Sequence, residues 1–333
     1  MTKPKVAIIG TGGTIHSLGT GPFDILDYGA NKNMMAVDKL VEMFPDVNEC
    51  AELIVRPYKA IPSPDMYFAE WKEIVQIMDD MTESTPDLAG FVVTHGTASM
   101  EETAYFLSLT ARTPLPIVCC GSQRPASGLS TDAAMNLANA IRTAACPEAK
   151  GMGAMLLLND EIHSAREVTK TSTFRLQTFR SPDFGVLGHA DGDKVVFYRK
   201  PIRAHYPDTE FYIRKVEALP RVDVVYAYTG SDEVAAKAFV AAGAKGIVCA
   251  GFAPGSAGTP TETYLAETVK GGGITVMMST RAGSGRVFRG KRHRERGFLT
   301  ADNLNPQKAR LLLALALSVT ADPDEIERIF LTY

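Results

Sequence analysis

An α/β fold in two domains is what the sequence predicts: a larger N-terminal domain with a mainly parallel sheet flanked by helices, then a smaller α/β C-terminal domain. Three observations carry that expectation. A chain of 333 residues is long enough for two cores, and a single core rarely grows so large. Apolar runs of strand length alternate with stretches of helical periodicity, as they do where parallel strands are joined by crossovers. The alternation breaks once and then resumes. The expected division is an N-terminal domain over 1–200, a linker over 201–220 and a C-terminal domain over 221–333.

Val6–Ile9, Gly90–Thr94, Pro116–Cys120 and Ala154–Leu158 are the strand candidates of the first domain. Between the middle two, Ala104, Leu107 and Ala111 recur at helical spacing across Met100–Ala111. Ser99, followed three residues later by Glu102, is a capping-box signature for the start of that helix. Another helix is expected over Asp132–Ala145, after the Gly/Pro/Ser-rich loop Gly121–Gly128. Pro201, Pro207 and Pro220 punctuate the polar and aromatic linker. Beyond it, Val222–Tyr228, Gly246–Cys249 and Gly273–Met278 read as strands, with a helix near Asp232–Ala242. Asn305-Pro306 and Asp322-Pro323 each set an N-cap residue before a proline at the first helical position, so the chain is expected to end in two helices.

Composition removes several classes of function. Apolar residues make up 45% and charged residues 22%, the balance of an ordinary globular protein. A formal net charge of -3 lacks the basic excess of a nucleic-acid binder. The aliphatic run Leu311–Leu317 is far too short to span a bilayer. Met1-Thr2-Lys3-Pro4-Lys5 leads straight into a strand-like run, with no cleavable signal peptide in view. Cys50, Cys119, Cys120, Cys146 and Cys249 are scattered and show no C-x-x-C spacing. Buried reduced thiols and a cytoplasmic location are therefore expected. The partner to look for is a small molecule, with no nucleic acid and no membrane.

The first chemical motif is Val6-Ala7-Ile8-Ile9-Gly10-Thr11-Gly12-Gly13-Thr14-Ile15, a strand running into a glycine turn. Ligands gather at the carboxyl ends of strands in open α/β sheets. Gly10-Thr11-Gly12 is half of a dinucleotide-binding G-x-G-x-x-G, but that reading needs a helix directly after the turn. The next segment, His16 to Asp24, is rich in glycine and helix-breaking. The alternative is that the glycines let the backbone approach a ligand while Thr14 presents its hydroxyl, with the His16–Asp24 stretch as a lid. Taken alone, Thr14 fits a purely structural role better, bonding the turn backbone.

A second strand–turn–helix, Phe91-Val92-Val93-Thr94-His95-Gly96-Thr97-Ala98-Ser99-Met100-Glu101-Glu102-Thr103, also carries a hydroxyl at its turn. Two hydroxyls on adjacent strand ends can face one substrate, and each needs a base or a pKa-lowering neighbour to become nucleophilic. With T-G-G-T-I near the N-terminus, T-H-G-T-x-x-M-E-E-T-A-Y-F-L in the middle and V-T-K-T further on, the chain resembles the bacterial L-asparaginases. The resemblance extends to Gly121–Pro125, to Gly297-Phe298 and to Asn305-Pro306-Gln307-Lys308-Ala309-Arg310, and so covers nearly the whole chain.

That resemblance implies a set of roles. Thr14 is the counterpart of the family's nucleophile, and Tyr28, in Asp27-Tyr28-Gly29, of the lid tyrosine that supports it. Thr97 matches the second threonine and Lys170 the lysine of V-T-K-T. A neutral Lys170 would accept a proton from Thr97 or from water, and burial is what lowers an amine's pKa. The implied reaction is acyl transfer in two steps: attack by Thr14, loss of ammonia, then hydrolysis of the acyl-enzyme. Backbone N–H groups of the glycine turns would hold the oxyanion. No cofactor or metal is needed, and no His/Cys/Asp cluster has ligand spacing. A homotetramer built from two close dimers is also implied.

The chain departs from the family at the substrate pocket. Asparaginases read H-G-T-D-T where this chain has Ala98 in place of the aspartate. The serine for the α-carboxylate survives as Ser63, but its glutamine neighbour is Pro64. Two residues that the family draws from a partner subunit, a glutamate and an asparagine, fall at Gly290 and near Pro254. Each change removes a group that would hold a substrate ammonium, at ~1–3 kcal/mol per lost charged hydrogen bond. His16, close behind Thr14, is a further candidate to touch the substrate. The basic stretch Arg286, Arg289, Lys291, Arg292, His293, Arg294 and Arg296 reads either as a loop reaching a neighbouring site or as a solvated loop offset by nearby acids.

Three hypotheses stand at this point. The first is an asparaginase-like amidohydrolase acting on an amide, imide, lactam or ester without an α-amino group. The second is an ordinary asparaginase or glutaminase in which other residues replace the lost contacts. The third is a catalytically weak binding protein on the same fold, against which the retained Thr14, Tyr28, Thr97 and Lys170 argue.

Overall fold

A computed structural model describes residues 3–31 and 33–333. The chain divides into two compact units, Met1–Thr209 and Glu210–Tyr333. Among the described residues, eight strands of the first unit form one sheet. In chain order its strands are β1 (Lys5–Gly10), β2 (Glu52–Pro57), β3 (Leu88–Thr94), β4 (Ile117–Cys120), β5 (Ala154–Leu158) and β6 (Glu161–Ser164). A separate ribbon of β7 (Thr169–Lys170) and β8 (Phe179–Arg180) comes next, before β9 (Gly188–Ala190) and β10 (Val195–Phe197) rejoin the sheet. Across the sheet the order is β10-β9-β6-β5-β4-β3-β1-β2. The strands from β2 to β5 pair in parallel, and β6, β9 and β10 pair antiparallel at the far edge.

Helices α1 (Val37–Met43), α2 (Phe68–Ser84), α3 (Met100–Thr110) and α4 (Ala133–Ala145) complete this unit. Val6, Ile8, Val92, Val118, Cys120, Met155 and Leu157 share one core with Leu40 of α1 and with Leu137 and Ile141 of α4. The alternate positions Ala7, Ile9, Phe91, Val93, Ile117 and Cys119 are fully buried too. Burial on both faces is why these strands read as continuous apolar runs rather than alternating ones. Trp71 of α2 stacks on Phe106 of α3, ring centroids 4.7 Å apart.

In the second unit β11 (Val222–Tyr226), β12 (Gly246–Gly251), β13 (Thr275–Thr280) and β14 (Leu299–Thr300) lie side by side in that order, all parallel. Its helices are α5 (Val234–Ala241), α6 (Thr259–Lys270), α7 (Lys291–Arg296), α8 (Pro306–Val319) and α9 (Pro323–Thr332). Asn305 and Asp322 cap the last two as expected, each side chain accepting a backbone N–H of the first turn. The basic stretch is offset by acids of its own unit: Arg292 and Arg296 both pair with the buried Glu262, and Arg289 with Glu327 at 2.6 Å. No helix of the described residues is long and apolar enough to cross a membrane.

One expectation needs correction and one helix was missed. Helix α3 starts where Ser99 and Glu102 indicated, but the Ser99 side chain does not cap it. Its hydroxyl donates instead to the Ser63 carbonyl at 2.6 Å, tying the turn after β3 to the Ser63 segment. The 17-residue α2 was not foreseen. Its buried Phe68, Trp71, Ile74, Val75 and Met78 recur three or four residues apart with polar residues interspersed, so an amphipathic stripe is present without a long apolar run.

The winding positions the site. From β1 the chain crosses to β2 on one side and returns to β3 on the other, so the winding reverses between β1 and β3, where open α/β sheets collect ligands. Gly10 is level with Thr94 across this pair, so the two turns leave the sheet side by side. At their closest approach backbone meets backbone. Gly13 has φ +88°, and a Cβ there would fall 2.2 Å from Gly96 Cα. Both the left-handed backbone and the lack of space require glycine. A Gly13→Ala variant is therefore expected to lose about 3 kcal/mol or more of stability, read as a lowered urea midpoint. A wild-type midpoint would contradict this packing.

Candidate active site

Thr14 opens a single 3₁₀ turn, Thr14–His16, directly after the Gly12-Gly13 bend. Its Oγ1 lies 2.8 Å from the Tyr28 hydroxyl oxygen. Tyr28 begins another short 3₁₀ turn, Tyr28–Asn31, four residues beyond the His16–Asp24 segment read as a lid. That segment is pinned at several points. Ser17 O accepts the Ala126 N–H at 3.0 Å, Gly19 N–H donates to Ser127 Oγ at 2.8 Å, and Leu129 N–H donates to Pro22 O at 2.7 Å. These bonds hold it against the 121–130 loop while Ile25 and Leu26 stay partly exposed to solvent.

On the β3 side Thr97 is buried, and its Oγ1 accepts from Lys170 Nζ at 2.8 Å. Lys170 sits in the two-residue strand β7, half-buried, and desolvation lowers its pKa from the usual 10.5. Glu101 opposes that shift by charge, and its Oε1 accepts the Lys170 N–H at 3.4 Å and the Thr169 hydroxyl at 3.3 Å. The acid thus anchors the strand that carries the amine.

Both hydroxyl pairs open on one cavity of 750 Å³ in the first unit. Its lining includes Thr14, Tyr28, Ser63, Thr97, Ala98 and Lys170, so six of the eight residues singled out from the sequence come together. Lys170 is the one charged side chain among the described lining residues, and no carboxylate joins it. Pro64 and His16 are not part of the lining. Pro64 is exposed on the 3₁₀ turn that begins at Ser63. His16 is buried behind the turn, because at three residues per turn a side chain two positions on faces well away from Thr14. Sequence reasoning missed Gln123, Glu101 and the wall made by Ile25, Leu26 and Phe174. Gln123 and Glu101 both stand in segments that carry the family resemblance, Gly121–Pro125 and M-E-E-T, but neither was given a role there.

Two histidines tie the site to the sheet. His16 Nδ1 bonds Met35 O at 3.0 Å and Nε2 bonds Thr94 Oγ1 at 2.7 Å. His95 Nδ1 bonds Gly96 O at 2.8 Å and Nε2 bonds Thr103 Oγ1 at 2.9 Å. A carbonyl can only accept, so Nδ1 carries the proton in each ring and Nε2 accepts from the threonine. Burial then holds both pKa values down at about 4. Thr103 in turn accepts from Trp71 Nε1 at 2.8 Å, which links the chain of bonds to α2. Among the described residues no cluster of three or more His, Cys, Asp or Glu could hold a metal ion.

The comparisons with known proteins agree with this architecture. Residues 5–203 match the family described as Asparaginase, N-terminal, and residues 221–330 the Glutaminase/Asparaginase C-terminal domain. The chain belongs to the asparaginase family, and so to the hydrolases of carbon–nitrogen bonds. It is 38% identical over 330 residues to L-asparaginase 2 of Bacillus subtilis, covering 99% of this chain and 87% of that one. Identity to the glutaminase-asparaginase of Acinetobacter glutaminasificans is 37%, over 99% and 100% of the two chains. A crystal structure of a probable cytoplasmic L-asparaginase from Campylobacter jejuni superimposes with a TM-score of 0.94 at 38% identity, covering 99% of this chain and all of the other.

The depressed histidine pKa values make stability pH-dependent. The unfolded chain takes up a proton near pH 6.5, whereas the folded rings stay neutral down to about 4. Stability is therefore lost as pH falls from about 6.5 to about 4, by roughly 3 kcal/mol per histidine. A His16→Gln variant is expected to show about half that slope in denaturation midpoints measured across this window. An unchanged slope would refute the assignment.

Proposed function

We propose that this protein hydrolyses a small carboxamide, with Thr14 as nucleophile. The observation that carries the reading is the pair of 2.8 Å contacts, Thr14 to Tyr28 and Lys170 to Thr97, facing the same cavity. The Thr14 oxygen attacks the amide carbon, and its proton passes by way of the Tyr28 hydroxyl to the departing amide nitrogen. Backbone N–H groups of the two glycine turns stabilise the oxyanion. The carbon–nitrogen bond breaks and ammonia leaves, so that an ester joins Thr14 to the acyl group. Water then adds to that ester, and the acid is released. Lys170 in its neutral form takes a proton from Thr97 or from the water, and its desolvation favours that form.

The names of the relatives make the side-chain amides of asparagine and glutamine the first substrates to consider. A second reading is favoured by one observation, that Ala98 stands at the cavity wall with no carboxylate among the described lining residues. A substrate ammonium would find no counter-charge there, which points to an amide, imide, lactam or ester without an α-amino group. The family resemblance further supports a homotetramer of two close dimers, and one similar structure is named as cytoplasmic. The retained Thr14, Tyr28, Thr97 and Lys170 speak against a binding protein without activity.

Replacing Thr14 with alanine is expected to lower kcat by about 10⁴-fold or more in an ammonia-release assay, and undiminished turnover would refute its role. Comparing L-asparagine with succinamate, which lacks only the α-ammonium, separates the two substrate readings. A higher kcat/KM for succinamate supports the second, and a higher value for asparagine the first. The rate is also expected to rise with pH through the Lys170 pKa, at a pH below the ordinary lysine value of 10.5. A Lys170→Met variant that kept this rise would exclude the amine as the group responsible.

A further inference from the structure

The loop after β4 carries a side chain that the proposed reaction leaves without a role. Gln123 lines the cavity with Thr14, Thr97 and Lys170. Its backbone is held firmly. The N–H groups of Gln123 and Arg124 donate to the two carboxylate oxygens of Asp132 at 2.9 and 3.0 Å. Asn136 donates to the same carboxylate at 3.0 Å and to Gly121 O at 2.9 Å. Gly121 packs directly on the other turn, since a Cβ there would come within 2.5 Å of His95 O and 3.1 Å of Thr97 Cγ2.

One polar atom of the side chain is unsatisfied. Gln123 Nε2 is a buried nitrogen with no hydrogen-bond partner among the described residues. Buried donors are nearly always paired, because an unmade bond forfeits hydration with nothing in return. Because the same side chain lines a ligand cavity, a turn of its amide toward that space lets an acceptor on a ligand complete the donor.

We propose that Gln123 is a specificity-determining residue, whose side-chain amide donates to an oxygen on the non-reacting end of the substrate. The amide-hydrolysis reading is needed only to say which end reacts. The remaining walls restrict that far end. Ile25, Leu26 and Phe174 are apolar, Ser63 offers a hydroxyl, and the described lining holds no acid to neutralise an ammonium. The substrate class is then a small carboxamide bearing a second oxygen acceptor, a carboxylate or carbonyl, a few bonds from the scissile amide.

Calorimetric titration tests this in a Thr14→Ala background, where no turnover intervenes, with succinamate and 3-aminopropanamide as probes. Succinamate is expected to bind, about 10-fold more weakly once Gln123→Met is added, and more weakly still with Gln123→Glu, which sets a like charge against it. The Gln123→Glu protein should gain affinity for 3-aminopropanamide, which carries an ammonium. A melting curve for each variant establishes that it is folded. Succinamate affinity that stays within about twofold in both variants, or no succinamate binding at all, overturns the proposal. If binding depends on Gln123 but the protein with Thr14 intact releases no ammonia from succinamate, the hydrolysis reading fails and the contact stands.

Discussion

The architecture rests on a contact between two backbones. Gly13 and Gly96 meet at a distance that admits no side chain on Gly13, at the point where the sheet's winding reverses. Everything chemical is referred to that contact. One residue beyond each glycine stands a threonine, so two hydroxyls from distant parts of the sequence open on one cavity. Ser63 belongs to the same junction: a Cβ on Gly96 would lie 2.7 Å from Ser63 Oγ, and Ser99 bonds the Ser63 carbonyl. Three segments are thereby locked at close range with almost no side-chain volume between them.

Around this junction, polar side chains serve two separate ends. Tyr28 and Lys170 each reach one of the threonine hydroxyls, and both are half-buried. His16 and His95 are sunk beneath the turns and spend all four ring nitrogens on fixed neighbours. The first pair is exposed enough to meet a ligand. The second pair holds the turns in place, and its neutrality comes from burial without a nearby acid.

The fold class was legible because parallel strands buried on both faces leave unmistakable apolar runs, and Ala154–Leu158 coincides with β5 at both ends. Thr14, Thr97, Tyr28 and Lys170 were legible because each stands in a recognisable local motif. What escaped was governed by geometry the one-dimensional pattern does not encode. The position of His16 depended on whether the chain after Thr14 turned with three residues per turn or ran extended. Gln123 depended on a loop whose shape comes from Asp132, nine residues further on, and α2 on a stripe whose buried members are interrupted by polar residues.

The ribbon of β7 and β8 joins two parts of the cavity that are otherwise unrelated. Lys170 belongs to β7, and Phe174 lies on the tip of the same ribbon, which Thr171 and Thr178 cross-link at 2.7 and 2.8 Å. Phe174 stands 71% exposed at the cavity rim. The rim aromatic and the amine inside are therefore carried on one cross-linked ribbon, so a substitution that loosens the Thr171–Thr178 bonds disturbs the entrance and the Lys170–Thr97 pair together.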